Sequence, residues 1–221
     1  MALRALTLWE NAETQRAIRI GLDANRTYRL VLTGHSLGGG IANLLHIKYN
    51  FEQNTMPANV RCFGYGSPPS YAAFPTQPIG VLKRVHGALL TSITFIGGND
   101  TIPFLSVDSI RRFLDTLIKV DAITAEMPVL DRWLVGKGTK NPPTELTDVI
   151  RDGSEKLDPV AGAERLKIAA SKVIWFEQKD DCRTDFLFCK PTKLARLPIF
   201  LTTDMVADHL PQMYEEGINS L

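Results

Sequence analysis

Apolar and polar residues recur along this chain with two different periods, and the switches between them mark its elements. From Leu3 to Leu22, the residues Leu3, Leu6, Trp9, Ala17, Ile18 and Gly21 follow roughly helical spacing with polar residues between them, which predicts an N-terminal helix. After a break at Asn25 and Arg26, Tyr28 to Thr33 predicts a short strand. Leu37 to about Phe51 then carries Ile41, Leu44, Leu45 and Lys48 at helix spacing. VRCFGY, from Val60 to Tyr65, predicts a second strand closed by Gly66-Ser67-Pro68-Pro69. A helix through Leu82 to Leu90 leads to a third strand, Ser92 to Ile96, which ends on Gly97-Gly98-Asn99-Asp100. Strands alternating with helices predict a mostly parallel sheet with crossover helices, an α/β fold.

Beyond the third strand the pattern turns helical. Ser106 is a suitable N-cap for a helix whose Val107, Ile110, Phe113, Leu114, Leu117 and Ile118 share one face, ending near Pro128. Gly136 to Thr144 has loop composition, and a helical pattern through Val160 to Ile168 leads to an apolar strand, Lys172 to Phe176. Residues 107–170 are therefore expected to be a helical insertion in a single domain spanning 1–221. Leu197 to Leu201 is strand-like despite Pro198, and His209-Leu210-Pro211 opens a last short helix.

Composition narrows the function classes. With 25 Lys plus Arg against 24 Asp plus Glu, the net charge of +1 leaves no basic footprint for nucleic acid. Cys62, Cys182 and Cys189 match no zinc spacing, so no metal is expected; one pair, Cys182 with Cys189, stays open, and reduced thiols in a cytoplasmic setting are favoured. Charges interrupt the N-terminus too often for a signal peptide, and no window is apolar enough to span a bilayer. Trp9 and Trp175 read as core residues, and Cys62 as a small buried hydrophobe.

One stretch carries chemistry. GHSLG, Gly34 to Gly38, fits GxSxG and lies after a predicted strand and before a predicted helix, the context a nucleophile elbow requires. Glycines leave room for a strained turn, Ser36 is lifted to the end of the sheet, and the helix N-terminus beneath favours negative charge. No lysine follows as in a P-loop, which disfavours a phosphate cradle. A serine nucleophile needs a histidine base oriented by a carboxylate, in the chain order serine, acid, histidine on this kind of sheet. Asp100 stands just beyond the third strand's carboxyl end, and His209 is the only histidine after it. His35 should point away from the turn, while His46 and His86 read as half-buried or surface histidines. Asp108 and Asp115 are better explained as helix-face or capping residues, and Asp204 and Asp208 stand too close to His209 to orient it. Ser36, Asp100 and His209 are the candidates.

GHSLGGG, CFGYGSPP, GGNDTIPFLSVDSIRR and TTDMVADHLPQMY together resemble the class 3 (fungal-type) lipases, closest to their sn-1-specific diacylglycerol lipase-like branch, over roughly residues 20–115 and 170–216. The resemblance implies an α/β-hydrolase fold, with Ser36 as nucleophile, Asp100 as acid, His209 as base and the Leu37 backbone N–H as first oxyanion donor. Ile102 stands where the family often has valine and Phe104 where it often has arginine. It also implies several strands, a lid helix and a second oxyanion donor upstream of the serine, where this chain has only 35 residues. The expectation is an N-terminally truncated sheet that exposes Leu30 and Leu32 along an edge and self-associates or aggregates there.

The function expected is hydrolysis of fatty-acyl esters of acylglycerols through an acyl-enzyme, without a cofactor. Acyl transfer to an alcohol would share that intermediate. The alternative is a weak or inactive lipase-like fragment that binds lipid or regulates a partner. Peripheral contact with a membrane or lipid droplet is a further expectation, with Trp133, Leu134 and Lys137 as an anchor set against the simpler reading of a solvated cap.

Overall fold

The N-terminal helical pattern divides into two helices, α1 (Ala2–Glu10) and α2 (Ala12–Ala24). The computed structural model describes residues 1–25, 27–52, 60–72, 77–155, 166–178, 184–195, 197, 199 and 202–220. The division falls at Asn11, whose backbone is extended and whose side chain accepts a hydrogen bond from the Thr14 N–H at 2.7 Å. An asparagine that caps the second helix stops the first, so apolar spacing alone overran the boundary.

The α/β alternation then follows in order. It comprises β1 (Val31–His35), α3 (Leu37–Phe51), β2 (Arg61–Tyr65), α4 (Ile79–Leu89) and β3 (Ser92–Gly97), closed by a 3₁₀ turn at Ile102–Phe104. Three helices come next: α5 (Val107–Ala125), α6 (Val129–Gly136) and α7 (Thr144–Glu155). The chain returns to the sheet with β4 (Lys172–Gln178) and β5 (Thr184–Cys189), and finishes with α8 (Pro191–Leu194) and α9 (Pro211–Asn219). Among the described residues the sheet runs β1-β2-β3-β4-β5, parallel as far as β4 and antiparallel between β4 and β5. It is a mostly parallel sheet with flanking helices, in keeping with the α/β-hydrolase fold.

Several elements depart from the sequence pattern. β1 begins at Val31, because its partners are Arg61 to Tyr65 and Tyr28 lies exposed before the ladder starts. β1 is an edge of the described sheet, but Leu30 and Leu32 are not its exposed side chains. They pack with Ala5, Leu45, Tyr49 and Val60 beneath α1 and α3, and Val31 and Thr33 are the residues of β1 left exposed. No strand was expected at β5, whose TDFLFC does not alternate cleanly. The expected strand over Leu197 to Leu201 does not form at Leu197 or Ile199, which pack instead against Ile96, Phe104 and Val173; Pro198, Phe200 and Leu201 lie outside the described residues. The same holds for residues 160–165 of the expected helix, while Lys167 bridges to Tyr71 and Ile168 is buried.

The largest departure concerns α5. Ser106 caps it as expected, in a reciprocal capping box with Ser109. No residue of α5 is buried, however, and Val107, Ile110, Leu114, Leu117 and Ile118 are exposed. The apolar face legible in the sequence is thus its outward face. The opposite side meets α7, where a Cβ on Gly153 would collide with the Thr116 hydroxyl.

Candidate active site

β1 ends on His35, and the next residue turns sharply into α3. Ser36 has φ 54° and ψ −127°, the only positive φ outside glycine among the described residues. Such a conformation costs about 1–3 kcal/mol and persists only where neighbours enforce it. The Ser36 N–H donates to the Tyr65 carbonyl at 2.8 Å, which ties the turn to the end of β2. Gly34 permits the tight approach, since a Cβ there would lie 2.4 Å from the backbone of Gly38. The turn also leaves the Leu37 N–H at the first position of a fifteen-residue helix, where the first N–H groups lack helical partners and the helix end carries positive partial charge.

Two further loops converge on this serine. Asp100 follows β3 and is fully buried, and His209 lies two residues before α9. His209 Nε2 lies 2.9 Å from Ser36 Oγ, and His209 Nδ1 lies 2.9 Å from Asp100 Oδ2. With the proton on Nδ1, the imidazole donates to the carboxylate and accepts from the serine hydroxyl, the arrangement a general base requires. The Ile102 N–H donates to Asp100 Oδ1 at 2.9 Å. Gly66, at φ 54°, passes so close that a Cβ there would sit 2.5 Å from Asp100 Oδ2 and 3.0 Å from His209 Nδ1. The three residues selected by chain order are therefore linked by hydrogen bonds through His209.

Other residues of the site had no role in the sequence reading. The Tyr214 hydroxyl donates to Asp100 Oδ2 and accepts from the Gly97 N–H at 3.2 Å. Burial, followed by the neighbouring Asp100 charge, pushes this phenol well above the usual tyrosine range. Asp208 does not orient the imidazole; its Oδ2 accepts from the Asn99 N–H at 2.6 Å and clamps the histidine loop onto the turn that carries Asp100. Trp175 Nε1 donates to the Gly98 carbonyl of that turn at 2.7 Å. His35, expected to point away, donates from Nε2 to the His209 carbonyl at 2.7 Å, its ring 4.6 Å from the His209 ring. A tyrosine five residues after the base, on the inward face of a predicted helix, was the one available signal, because buried tyrosines usually find a hydrogen-bond partner.

The remaining candidates fall elsewhere. His86 is exposed on α4, while His46 is fully buried on α3, donating from Nε2 to the Val60 carbonyl at 3.0 Å. Burial lowers His46 to about 4. Asp108 pairs with Arg112 on α5 at 3.2 Å, and Asp204 is exposed. Cys62 is buried, with burial pushing its thiol up to about 12; Cys189 is a free thiol, and Cys182 lies outside the described residues. Among the described residues no group of three or more His, Cys, Asp or Glu side chains is arranged to hold a metal, and no helix is long and apolar enough to cross a membrane.

Fold and site together are in keeping with the α/β-hydrolase fold, with a serine at the strand-to-helix turn. The family model for class 3 lipases matches residues 1–108, the part that carries that turn and the aspartate. Among solved structures, lipase II from Rhizopus niveus is similar at 23% identity with a TM-score of 0.35, covering 46% of this chain. The chain spans 36% of that lipase's length. No curated protein matches the chain.

Proposed function

We propose that this chain hydrolyses carboxylic esters of fatty acids, with acylglycerols, diacylglycerol among them, as the substrate class. The observation that carries the proposal is the continuous hydrogen-bond chain from Ser36 Oγ through His209 to the buried Asp100. The class 3 lipase match over residues 1–108 supports lipase-type chemistry. Exposed apolar side chains near the three residues in sequence support a lipid ester: Leu37 next to Ser36, Val206 and Leu210 on either side of His209, and Val107 after Asp100 are each at least half exposed.

In this reading Ser36 Oγ attacks the ester carbonyl carbon as His209 Nε2 takes its proton, and the Leu37 N–H receives the developing oxyanion. The intermediate collapses, the C–O bond to the alcohol breaks, and His209 returns the proton to the leaving alkoxide. Water then attacks the acyl-serine, with His209 again as base, and releases the acid and the free Ser36 hydroxyl. Asp100 stays ionised and holds the imidazole throughout. The cationic imidazole forms within hydrogen-bonding distance of a buried carboxylate, where a charge-assisted hydrogen bond is strongest.

The test pairs a fluorophosphonate probe with p-nitrophenyl butyrate on the full chain. The probe should label the peptide containing Ser36 and nothing in Ser36→Ala, and turnover should fall at least ~10³-fold in Ser36→Ala and in His209→Ala. His86→Ala should keep most of the activity. Equal labelling of Ser36→Ala, or equal damage from His86→Ala in a folded protein, would overturn the assignment.

A further inference from the structure

We propose that Tyr214 is a positioning residue for this site, whose phenol fixes the plane of the Asp100 carboxylate so that Oδ2 faces His209. The inference rests on reading Ser36, His209 and Asp100 as the hydrolytic triad. An aspartate's last torsion is broad and roughly two-fold, so its carboxylate plane is set by partners rather than by rotamer preference. Here the partners are disposed to set it. The Ile102 N–H holds Oδ1 at 2.9 Å, and Tyr214 holds Oδ2, the oxygen that also accepts from His209 Nδ1. Removing the phenol would leave Oδ2 held only by the base it is meant to orient.

Tyr214 is also constrained to donate. Its oxygen already accepts the Gly97 N–H, and Asp100 Oδ2 is the acceptor its own proton reaches. The side chain is 3% exposed, and its ring packs edge-on against Phe176 at 5.6 Å, His35 at 5.6 Å and Tyr65 at 6.0 Å. Burial and the adjacent carboxylate keep the phenol protonated, so the donor persists across the range in which a histidine base works. The titratable groups around it are Asp100, Asp208, His209, His35 and Tyr65. Of these, Asp100 takes the phenol's proton in a hydrogen bond.

Because Tyr214 and His209 share one oxygen, the two donors compete for it. Loss of the phenol should strengthen the carboxylate's hold on a cationic imidazole while loosening its orientation. The experiment uses the full chain with isotope-labelled histidine and compares wild type with Tyr214→Phe, which keeps the ring. The His209 titration midpoint should rise by roughly half a unit to one unit. Turnover of p-nitrophenyl butyrate should fall roughly tenfold in kcat with KM within about twofold, the split expected of a residue that acts on the transition state alone. An unchanged midpoint together with unchanged kcat would overturn the proposal. Should Tyr214→Phe fail to fold, Tyr214→fluorotyrosine supplies a stronger donor of the same shape; the midpoint should then fall, and a midpoint that stays put would overturn the proposal equally. The titration needs no substrate. A wild-type chain that turned over no ester would therefore sink the hydrolase reading, and the midpoint would still decide the role of Tyr214.

Discussion

The turn between β1 and α3 and the helical stretch from α5 to α7 sit on the same chain under opposite constraints. At the turn, backbone lies against backbone: Gly34 faces Gly38 with no room for a methyl group, and Ser36 is held in a conformation that few residues adopt. On α5, a row of aliphatic side chains faces outward with no residue buried. The turn has one solution because packed backbone cannot give. α5 keeps its regularity through its capping box and its contact with α7.

The most damaging way to probe this contrast is Gly34→Ala. The added methyl would meet the Gly38 carbonyl group at 2.4 Å and the Gly39 nitrogen at 2.7 Å, atoms that no rotamer change can move. We expect a loss of more than about 3 kcal/mol in urea unfolding, or no folded protein at all, together with loss of probe labelling at Ser36. A folded variant with wild-type labelling would show that the turn is slacker than its geometry implies.

Next in size is a pH effect confined to the sheet side of the contrast. His46 lies on α3 against Val60 and Thr91, just before β2 and β3, and stays neutral in the folded state down to about 4, because burial disfavours its cation. The unfolded imidazole titrates near its ordinary value of 6.5, so between these two values the unfolded state binds more protons and stability falls as pH falls. Over that window the loss should reach roughly 3 kcal/mol, read as a declining urea midpoint. His46→Gln should flatten the decline, and an equally steep decline in that variant would assign it to other groups.

The smallest effect is expected on α5. Leu114 is already 51% exposed, so Leu114→Ser should change stability by no more than about 0.5 kcal/mol, a shift of about 2 °C or less in Tm. A larger loss would mean that the outward face is covered in solution, which analytical ultracentrifugation of the same samples would reveal as association.

The same contrast explains what was legible in the sequence. Gly34 to Gly38 announced the turn because glycine spacing reports backbone conformation directly, and chain order pointed to Asp100 and His209, which the structure joins to Ser36 through two hydrogen bonds of 2.9 Å. The orientation of α5 was not legible. A helical period says which residues share a face and is silent on whether that face meets protein or solvent. Asn11 was missed as a boundary because a capping side chain interrupts a helix without interrupting its apolar spacing, and β5 because its TDFLFC lacks the alternation that marks a half-buried strand. Tyr214 and Asp208 were invisible as partners of Asp100 and Asn99, since those contacts join positions 114 and 109 residues apart and no local pattern records them.

Sequence separation has a last consequence, in the timing of biosynthesis. His209 meets Ser36 across 173 positions, and Tyr214 and Asp208, which engage the aspartate's turn, come from the same closing segment. During translation Ser36 and Asp100 are both made before His209, so on the reading proposed above the site stays incomplete until the segment carrying Asp208, His209 and Tyr214 has been added.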